Sequence, residues 1–286
     1  MEFPPVDGPP DAPALPSAPE PSPPPAPRPL PRPKPVEELL SEAFDLYRLH
    51  FRPLFLVAAM GLAPVSLAKD LLVPLFSEAV SPSAALVSAF VLLLPVLGLA
   101  QLLTQGALMV AAVDAIAGGE AGTLAAWSGA LARFGPLFGA SVLVAAGSLL
   151  GGLFCLVPGL LFWVGCLFVT PAVLLEERSS TAAVKRSLQA VRTDPGRAFL
   201  LAACLGVVVF GAGMLGGLLV PPGHLFAGAV VADLVTLVVL PFPVLAIVLL
   251  FEDIQRTRWG FPESELKRQS DRLVSEEGDD DAVDDA

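Results

Sequence analysis

The sequence has few of the residues from which active sites and covalent frameworks are usually built. Its 286 residues include two histidines, three cysteines and one tyrosine, and only 16% are charged. The cysteines form no Cys-x-x-Cys motif and no Cys/His cluster, which argues against a zinc site or a disulfide framework. We therefore expect no metal ion, no disulfide and no bound cofactor.

Motifs of hydrolases and intramembrane proteases are missing as well. There is no His-Glu-x-x-His zinc motif, and Gly139-Ala140-Ser141 lacks the second glycine of a Gly-x-Ser-x-Gly elbow. Glu176-Glu177 matches the start of the Glu-Glu-x-x-x-Arg motif of CAAX-type membrane proteases. Thr181 stands where that motif requires arginine. These absences predict a protein that is not an enzyme.

What the sequence does contain is long apolar runs. Its mean hydropathy is +0.71, and its charged fraction lies below the roughly one quarter of soluble domains. About 20 apolar residues cross the roughly 30 Å of membrane hydrocarbon. The runs predict an all-α integral membrane bundle of six transmembrane helices, at residues 53–72, 84–108, 134–152, 158–175, 198–219 and 229–251.

Basic residues lie almost entirely on one side of these spans. Sixteen of the seventeen lysines and arginines fall before the first span, after the second, after the fourth or after the sixth. Basic residues stay cytoplasmic during insertion, so we predict a multi-pass protein of the cytoplasmic (inner) membrane with both termini cytoplasmic. His50 and His224 would then lie a membrane thickness apart and could not form a catalytic pair. Lys69 is the exception and is expected to snorkel to the outer surface.

Both ends of the chain are predicted to be disordered. Residues 1–35 hold sixteen of the thirty prolines, which favours an extended, polyproline-like arm. Residues 260–286 form an acidic tail, with seven acids and no base after Arg272, and such a run stays solvated. The transmembrane domain occupies residues 36–259 between them. Either end is available to cytoplasmic protein partners, and the basic residues of the arm also to anionic lipid.

An internal repeat is indicated by three amphipathic segments that precede the odd-numbered spans. The first, residues 36–51, carries an apolar stripe, and the others cover residues 124–134 and 181–191. Each even-numbered span ends near acids, at Asp114, at Glu176 and at Glu252. The pattern predicts three copies of one unit, an interfacial amphipathic helix plus a two-span hairpin, related by an axis along the membrane normal.

Residues 151–198 also resemble a known family. Pro158-Gly159 opens a span that contains Pro171 and ends at Glu176, and the segment Ala183-Val184-Lys185-Arg186-Ser187 follows. This pattern resembles the membrane domain associated with glycerophosphoryl diester phosphodiesterases and its uncharacterised bacterial multi-pass relatives. The resemblance covers about residues 36–261 and implies a six-helix bundle without an activity, because the catalytic barrel of fused relatives needs roughly 250 further residues.

The best candidate site on the cytoplasmic side combines Glu176 with three basic residues, Lys185, Arg186 and Arg192. Two interpretations stay open. The basic residues could grip anionic lipid head groups, at about 1 kcal/mol per residue near the surface, or Glu176 could pair with Arg186 or another base and anchor the loop.

Polar residues inside the spans are few. Near the predicted outer boundary lie Lys69, Asp70 and Asp233, and the densest cluster is Gln101, Thr104 and Gln105. Hydrogen bonding between helices accounts for that cluster. Five prolines could kink the spans and open a cavity: Pro64, Pro95, Pro171, Pro241 and Pro243.

Two functions fit these features. The first is a non-enzymatic structural or interaction module of the cytoplasmic membrane, in contact with the lipid bilayer and with no role for nucleic acid. The second is a transporter or lipid-handling protein with a pathway between the hairpins. A dry, packed bundle would favour the first, whereas a polar cavity that reaches Gln101, Gln105 or Asp233 would favour the second. Richness in Ala, Gly, Pro and Val with few lysines indicates a bacterial source.

Overall fold

A computed structural model describes residues 32–79, 82–119, 122–154, 156–176, 178–219 and 225–275. Their helices are α1 (Val36–Leu49), α2 (Phe51–Ala79), α3 (Pro82–Ala117), α4 (Thr123–Ala132), α5 (Phe134–Phe154), α6 (Leu156–Gly165), α7 (Val169–Leu175), α8 (Ser180–Thr193), α9 (Pro195–Leu218), α10 (Leu225–Val239), α11 (Pro241–Arg258) and α12 (Glu263–Ser275).

Among the described residues, six helical segments are long and apolar enough to cross a membrane. They are Phe51–Leu71, Pro95–Ala117, Phe134–Leu153, Val157–Leu175, Pro195–Leu218 and Ala227–Arg258. These spans confirm the predicted all-α fold class, and the chain is a multi-pass membrane protein that contacts the lipid bilayer. The second and sixth spans run past the predicted ends at residues 108 and 251. They do so because the acids there, Asp114 and Asp253, are held by side chains of other helices.

The even-numbered spans form the inside of the bundle and the odd-numbered spans its outside. The buried share is 50%, 56% and 50% for the second, fourth and sixth spans, against 22%, 11% and 22% for the first, third and fifth. The centre is aromatic, with the fully buried rings of Phe168 and Phe251 at 5.6 Å between centroids. The odd-numbered spans therefore present most of the apolar surface that lipid covers.

Three short helices lie at one end of the bundle, which we call the capped end. They are α1, α4 and α8, and each directly precedes an odd-numbered span. They pack mainly against even-numbered spans, α1 on α11, α4 on α3 and α8 on α7, although α8 also packs on α5. The element order fits three copies of a helix followed by two spans, and the internal repeat itself stays a prediction.

The hairpin predicted within residues 134–175 packs closely at its turn. Helices α5 and α6 are neighbours, and a Cβ added at Gly159 would lie 2.7 Å from the backbone nitrogen of Gly152. A Cβ added at Gly151 would likewise lie 3.0 Å from the Gly159 Cα. A side chain at either position would collide with backbone, so Gly151 and Gly159 set the distance between the two helices.

The fourth span is not one helix, although the sequence predicted a single span there. Helix α6 ends at Gly165, α7 begins at Val169, and Pro171 cannot donate the backbone hydrogen bond that a continuous helix would need. Ser187 of α8 bridges the gap, because its hydroxyl accepts from the Phe168 amide at 3.0 Å and donates to the Gly165 carbonyl at 2.8 Å. Irregular backbone at membrane depth is tolerated where protein buries it, and Gly165 and Phe168 are both buried.

The sixth span is divided at Leu240, immediately before Pro241. Proline in a helix interior removes a backbone donor and crowds the preceding turn, as the sequence analysis predicted for this position. The hydroxyl of Tyr47 on α1 donates to the carbonyl of Val238 at 2.7 Å. This bond ties the capping helix to the turn before the break.

The apolar residues of α1 face in two directions, some into the bundle and some away from it. The residues that the bundle buries are Val36, Leu39 and Ala43, whereas Phe44 of the predicted stripe is 50% exposed. A helix at a membrane interface can place one apolar face on protein and another on lipid, and the two faces of α1 fit that position.

The predicted tail of residues 260–286 is corrected in part. Residues 263–275 form the helix α12, whose buried residues Gln269, Ser270 and Leu273 pack on α3 and α4. The prediction was wrong here because it weighed the charge of the tail and missed the helical spacing of these three residues. The acids after residue 275, and the predicted arm up to residue 31, lie outside the described residues.

Candidate functional site

The first candidate site is the predicted cluster around Glu176 at the capped end. Glu176 directly follows α7, and its side chain is 7% exposed. Its carboxylate accepts from Arg186 Nε at 2.9 and 2.8 Å and from Gln255 Nε2 at 3.0 Å, and Arg178 donates to it as well. One carboxylate thus joins the end of α7 to α8 and α11.

Arg186 is enclosed by its partners. Its guanidinium carbon lies 3.4 Å from the ring centroid of Trp259, and its side chain is 15% exposed. A planar guanidinium can stack on a ring and donate to a carboxylate at the same time. Arg186 is therefore committed to contacts within the protein.

The other two predicted site residues do not join this cluster. Lys185 and Arg192 are exposed on α8. The structure brings Glu176 and Arg186 together and leaves Lys185 and Arg192 on the surface. This division matches the anchoring interpretation for the first pair and leaves the exposed pair available to lipid.

The charge state of Glu176 follows from competing effects. Burial acts to raise the pKa of its carboxyl, but the hydrogen bonds from Arg186, Arg178 and Gln255 and the positive charge of Arg186 outweigh burial, so the pKa lies below its usual 4.5. The carboxylate is therefore ionised at neutral pH. A carboxylate that is charged at neutral pH and accepts hydrogen bonds from three side chains suits an anchor.

Sequence reasoning missed a second ion-pair group at the capped end. Arg197, in the first turn of α9, donates to Asp194 at 2.8 Å, to Asp253 of α11, and to the Lys34 carbonyl at 2.7 Å. Asp194 also caps α9 by accepting from the Arg197 amide. The Asp-Pro pair at residues 194–195 signals the helix start, but no signal in the sequence connects Arg197 to Asp253.

A pocket of about 310 Å³ also lies at the capped end, and His50 and Asp114 are among its lining residues. Asp114 accepts a hydrogen bond from Ser270 of α12 at 2.9 Å. The predicted separation of the two histidines stays a prediction, because His224 lies outside the described residues. Within those residues, no group of three or more His, Cys, Asp or Glu side chains is placed to hold a metal ion.

The second candidate site is a cleft between α2, α3 and α10, away from the capped end. Its volume is about 350 Å³, and it is lined by Leu62, Ser66, Lys69, Leu97, Gly98, Gln101, Asp233, Thr236 and Leu237. Gln101 and Asp233 are two of the three residues that the sequence analysis named as the mark of a polar cavity. Gln105 is not among the lining residues.

Two of the lining residues, Lys69 and Asp233, form an ion triad with Asp70, which does not line the cleft. The ammonium of Lys69 lies 3.0 Å from the Asp233 carboxylate and 3.1 Å from the Asp70 carboxylate. The Asp70 side chain is only 4% exposed, whereas those of Lys69 and Asp233 are 27% and 25% exposed. Lys69 was expected to snorkel towards water, but it instead pairs with a carboxylate 164 residues away in the sequence.

The cleft is polar near the membrane boundary and apolar nearer the membrane centre. Lys69 lies 18 residues after Phe51, which is about 27 Å along α2 from its start and close to the far boundary of a hydrocarbon layer about 30 Å thick. Leu62 lies two helical turns nearer the membrane centre. Gly98 is exposed, and a Cβ added there would meet nothing within 4 Å. The cleft is thus open beside Gly98, on the outer surface of the bundle.

Comparisons with known proteins give no evidence on function, so the geometry of the two candidate sites is the evidence that remains. A scan against protein-family models, a search of curated proteins and a search of solved structures found no match for this chain.

Proposed function

We propose that this chain is a non-enzymatic lipid-handling protein of the bacterial cytoplasmic membrane, which binds a phospholipid in the cleft between α2, α3 and α10. The observation that carries the proposal is the Lys69–Asp233 ion pair inside an open cleft between membrane-spanning helices. A charged residue costs about 2.5 to 3.5 kcal/mol to insert at the centre of a span, and charged residues within spans are found mainly where function requires them.

The shape of the cleft supports an amphiphilic ligand. Its charged residues lie near the membrane boundary, where head groups are found, and Leu62 and Leu237 provide apolar walls. A ligand pocket typically combines an apolar lining with a few polar groups that fix orientation. The cleft also opens beside Gly98 on the bundle surface, which gives a membrane lipid direct access.

The alternative is a structural or interaction module whose two ends bind cytoplasmic partners. A fully packed bundle would have favoured it, and the cleft at Gln101 and Asp233 instead supports the lipid-handling function. Under the alternative, changing the cleft has no effect on bound lipid, while deleting residues 1–31 or 276–286 removes bound protein partners.

The proposed orientation places the capped end in the cytoplasm. Its support is the charge pattern, since Lys69 is the one basic residue outside the four cytoplasmic segments. Lys185 and Arg192 would then face the cytoplasmic leaflet, where anionic lipids attract basic residues. The cleft would lie towards the outer leaflet.

The proposed family is the membrane domain found with glycerophosphoryl diester phosphodiesterases. The motif that carries the resemblance has packing roles here: Gly159 sets the α5–α6 distance, Pro171 accompanies the break in the fourth span, Arg186 pairs with Glu176, and Ser187 bridges the break. Because these residues hold helices together, packing accounts for the motif. This supports a non-enzymatic protein.

Native mass spectrometry of the full-length protein tests the lipid-handling proposal. The protein is transferred into mild-detergent micelles with phosphatidylethanolamine, phosphatidylcholine and phosphatidylglycerol that carry the same acyl chains. We expect one retained phospholipid. Gly98→Leu would fill the opening of the cleft and should lower retention at least tenfold, because a side chain there occupies the path of the ligand.

The matched control is Gly213→Leu on α9. Gly213 is also exposed with nothing within 4 Å of an added Cβ, so the two variants differ mainly in place. Retention that is equal in the wild type and both variants would overturn the lipid-handling proposal.

A further inference from the structure

We propose that the cleft selects a phospholipid whose head group carries a primary ammonium ion, an inference that rests on the proposed lipid-handling function. The charges of the triad are the first argument. One ammonium, on Lys69, faces two carboxylates, on Asp70 and Asp233. When all three are ionised, the triad has one negative charge in excess.

This excess discriminates between classes of head group. A cationic group in the cleft balances the charge, whereas an anionic head group without an amine adds a negative charge to a triad that already has one in excess. A juxtaposition of like charges acts against the wrong ligand and so gives specificity. Phosphatidylglycerol is therefore disfavoured.

Hydrogen-bond acceptors separate a primary ammonium from a quaternary one. A primary ammonium has three N–H donors, and the cleft offers the Asp233 carboxylate, the Gln101 side chain and the hydroxyls of Ser66 and Thr236. The Thr236 hydroxyl donates its hydrogen to the Ala232 carbonyl at 2.8 Å, which leaves its oxygen as an acceptor for a ligand in the cleft.

A quaternary ammonium has no N–H and is typically recognised by aromatic faces. No aromatic residue is among the described residues that line the cleft. Phosphatidylcholine therefore gains less from this site than phosphatidylethanolamine does.

The Lys69–Asp233 pair also matches the remaining part of such a head group. A zwitterionic head group carries its phosphate beside its ammonium, so the phosphate can contact Lys69 while the ammonium contacts Asp233. Both protein residues are partly exposed in the cleft, and each would keep an oppositely charged neighbour throughout. The lipid therefore replaces one ion pair with two, without leaving a buried charge alone.

Competition between head groups tests the inference in the same micelles. The wild type should retain phosphatidylethanolamine about tenfold more than phosphatidylcholine, the difference expected from one charge-assisted hydrogen bond. Asp233→Asn should bring that ratio close to one. Asp70 still pairs with Lys69 in this variant, so its thermal unfolding midpoint should stay near the wild-type value and show that it folds.

Two further variants sharpen the test. Asp233→Glu keeps the carboxylate and should restore most of the preference. Asp271→Asn removes an exposed carboxylate on α12 and should keep the full wild-type ratio.

The outcomes separate this inference from the proposed function. Equal retention of the three lipids by the wild type, with retention still blocked by Gly98→Leu, would overturn the head-group inference and leave lipid handling in place. A preference that survives Asp233→Asn would also overturn the inference. Retention that is indifferent to both Gly98→Leu and Asp233→Asn would overturn both proposals.

Discussion

Glu176 is the residue whose removal should disturb the capped end most, because it is the shared partner of two arginines and a glutamine. Glu176→Gln leaves Arg186 and Arg178 without their carboxylate. Breaking a buried pair in this way costs about 3 kcal/mol. We expect the free energy of unfolding in mild detergent to fall by about that amount, measured by denaturant titration. Glu37→Gln, at an exposed carboxylate on α1, should change it by less than about 0.5 kcal/mol.

The acid sensitivity of the protein should also depend on Glu176. Its folded-state pKa lies below 4.5, so the unfolded chain binds more protons in acid and stability rises with pH there. The contribution of the carboxylate is complete above pH 4.5 and disappears as the pH falls through the lower folded-state value. The stability difference between the wild type and Glu176→Gln should therefore be constant at neutral pH and shrink in acid. A difference that grows in acid would contradict the pairing.

Individual partners were the part of the site that the sequence could least predict. The pairing of Glu176 with Arg186 was one of two open interpretations. The two residues are opposite in charge and ten apart, which permits a pair without requiring one. Lys69 and Asp233 were both noted but not connected, since 164 residues separate them and only the packing of α10 on α2 brings them together.

At the scale of elements, Ser187 is the side chain on which the fourth span depends. Ser187→Ala removes the hydroxyl that serves the Phe168 amide and the Gly165 carbonyl. A buried polar group without a partner costs about 1 to 3 kcal/mol, and we expect a loss in that range. Ser179→Ala is the matched control, because Ser179 is exposed and makes no side-chain cap hydrogen bond. Equal stabilities of the two variants would contradict the bridging role.

The existence of the helices was predictable, whereas their interruptions were only partly so. Apolar runs of about 20 residues specify spans, and Pro241 gives a direct signal for the break at Leu240. The break in the fourth span falls at residues 166–168, ahead of Pro171, and it is stabilised by a serine from a different helix. Helix α12 was missed because two of the three buried residues described on it are polar, Gln269 and Ser270 beside Leu273, a pattern that hydropathy alone does not reveal.

At the scale of the whole molecule, the orientation in the membrane can be tested directly. A cysteine-reactive or epitope reporter is inserted near residue 81 or residue 222, and a second is inserted at Ser179. The basic residues predict that the first two react with an impermeant reagent added outside intact cells, and that the third reacts only after permeabilisation. Labelling of the Ser179 reporter in intact cells would contradict the orientation.

The bundle as a whole shows why the sequence predicts the fold better than it predicts the site. Insertion of each span is decided locally by hydropathy, so the number of spans can be read from 20-residue windows. The burial of the even-numbered spans and the cleft between α2, α3 and α10 arise from contacts among distant segments. Charged residues are few inside the spans, so each of them could be noted in the sequence. That Lys69 and Asp233 lie together became visible only in the folded structure.

The interruption between α6 and α7 has a consequence for biosynthesis. The hydroxyl that completes it belongs to a residue 19 positions later than Phe168, so it leaves the ribosome after the fourth span has been made. Until then, an amide and a carbonyl at membrane depth have no protein partner, at a cost of several kcal/mol for each unsatisfied group in lipid. We therefore expect this hairpin to stay beside the translocon, and to move into the bilayer only once α8 has folded back against it.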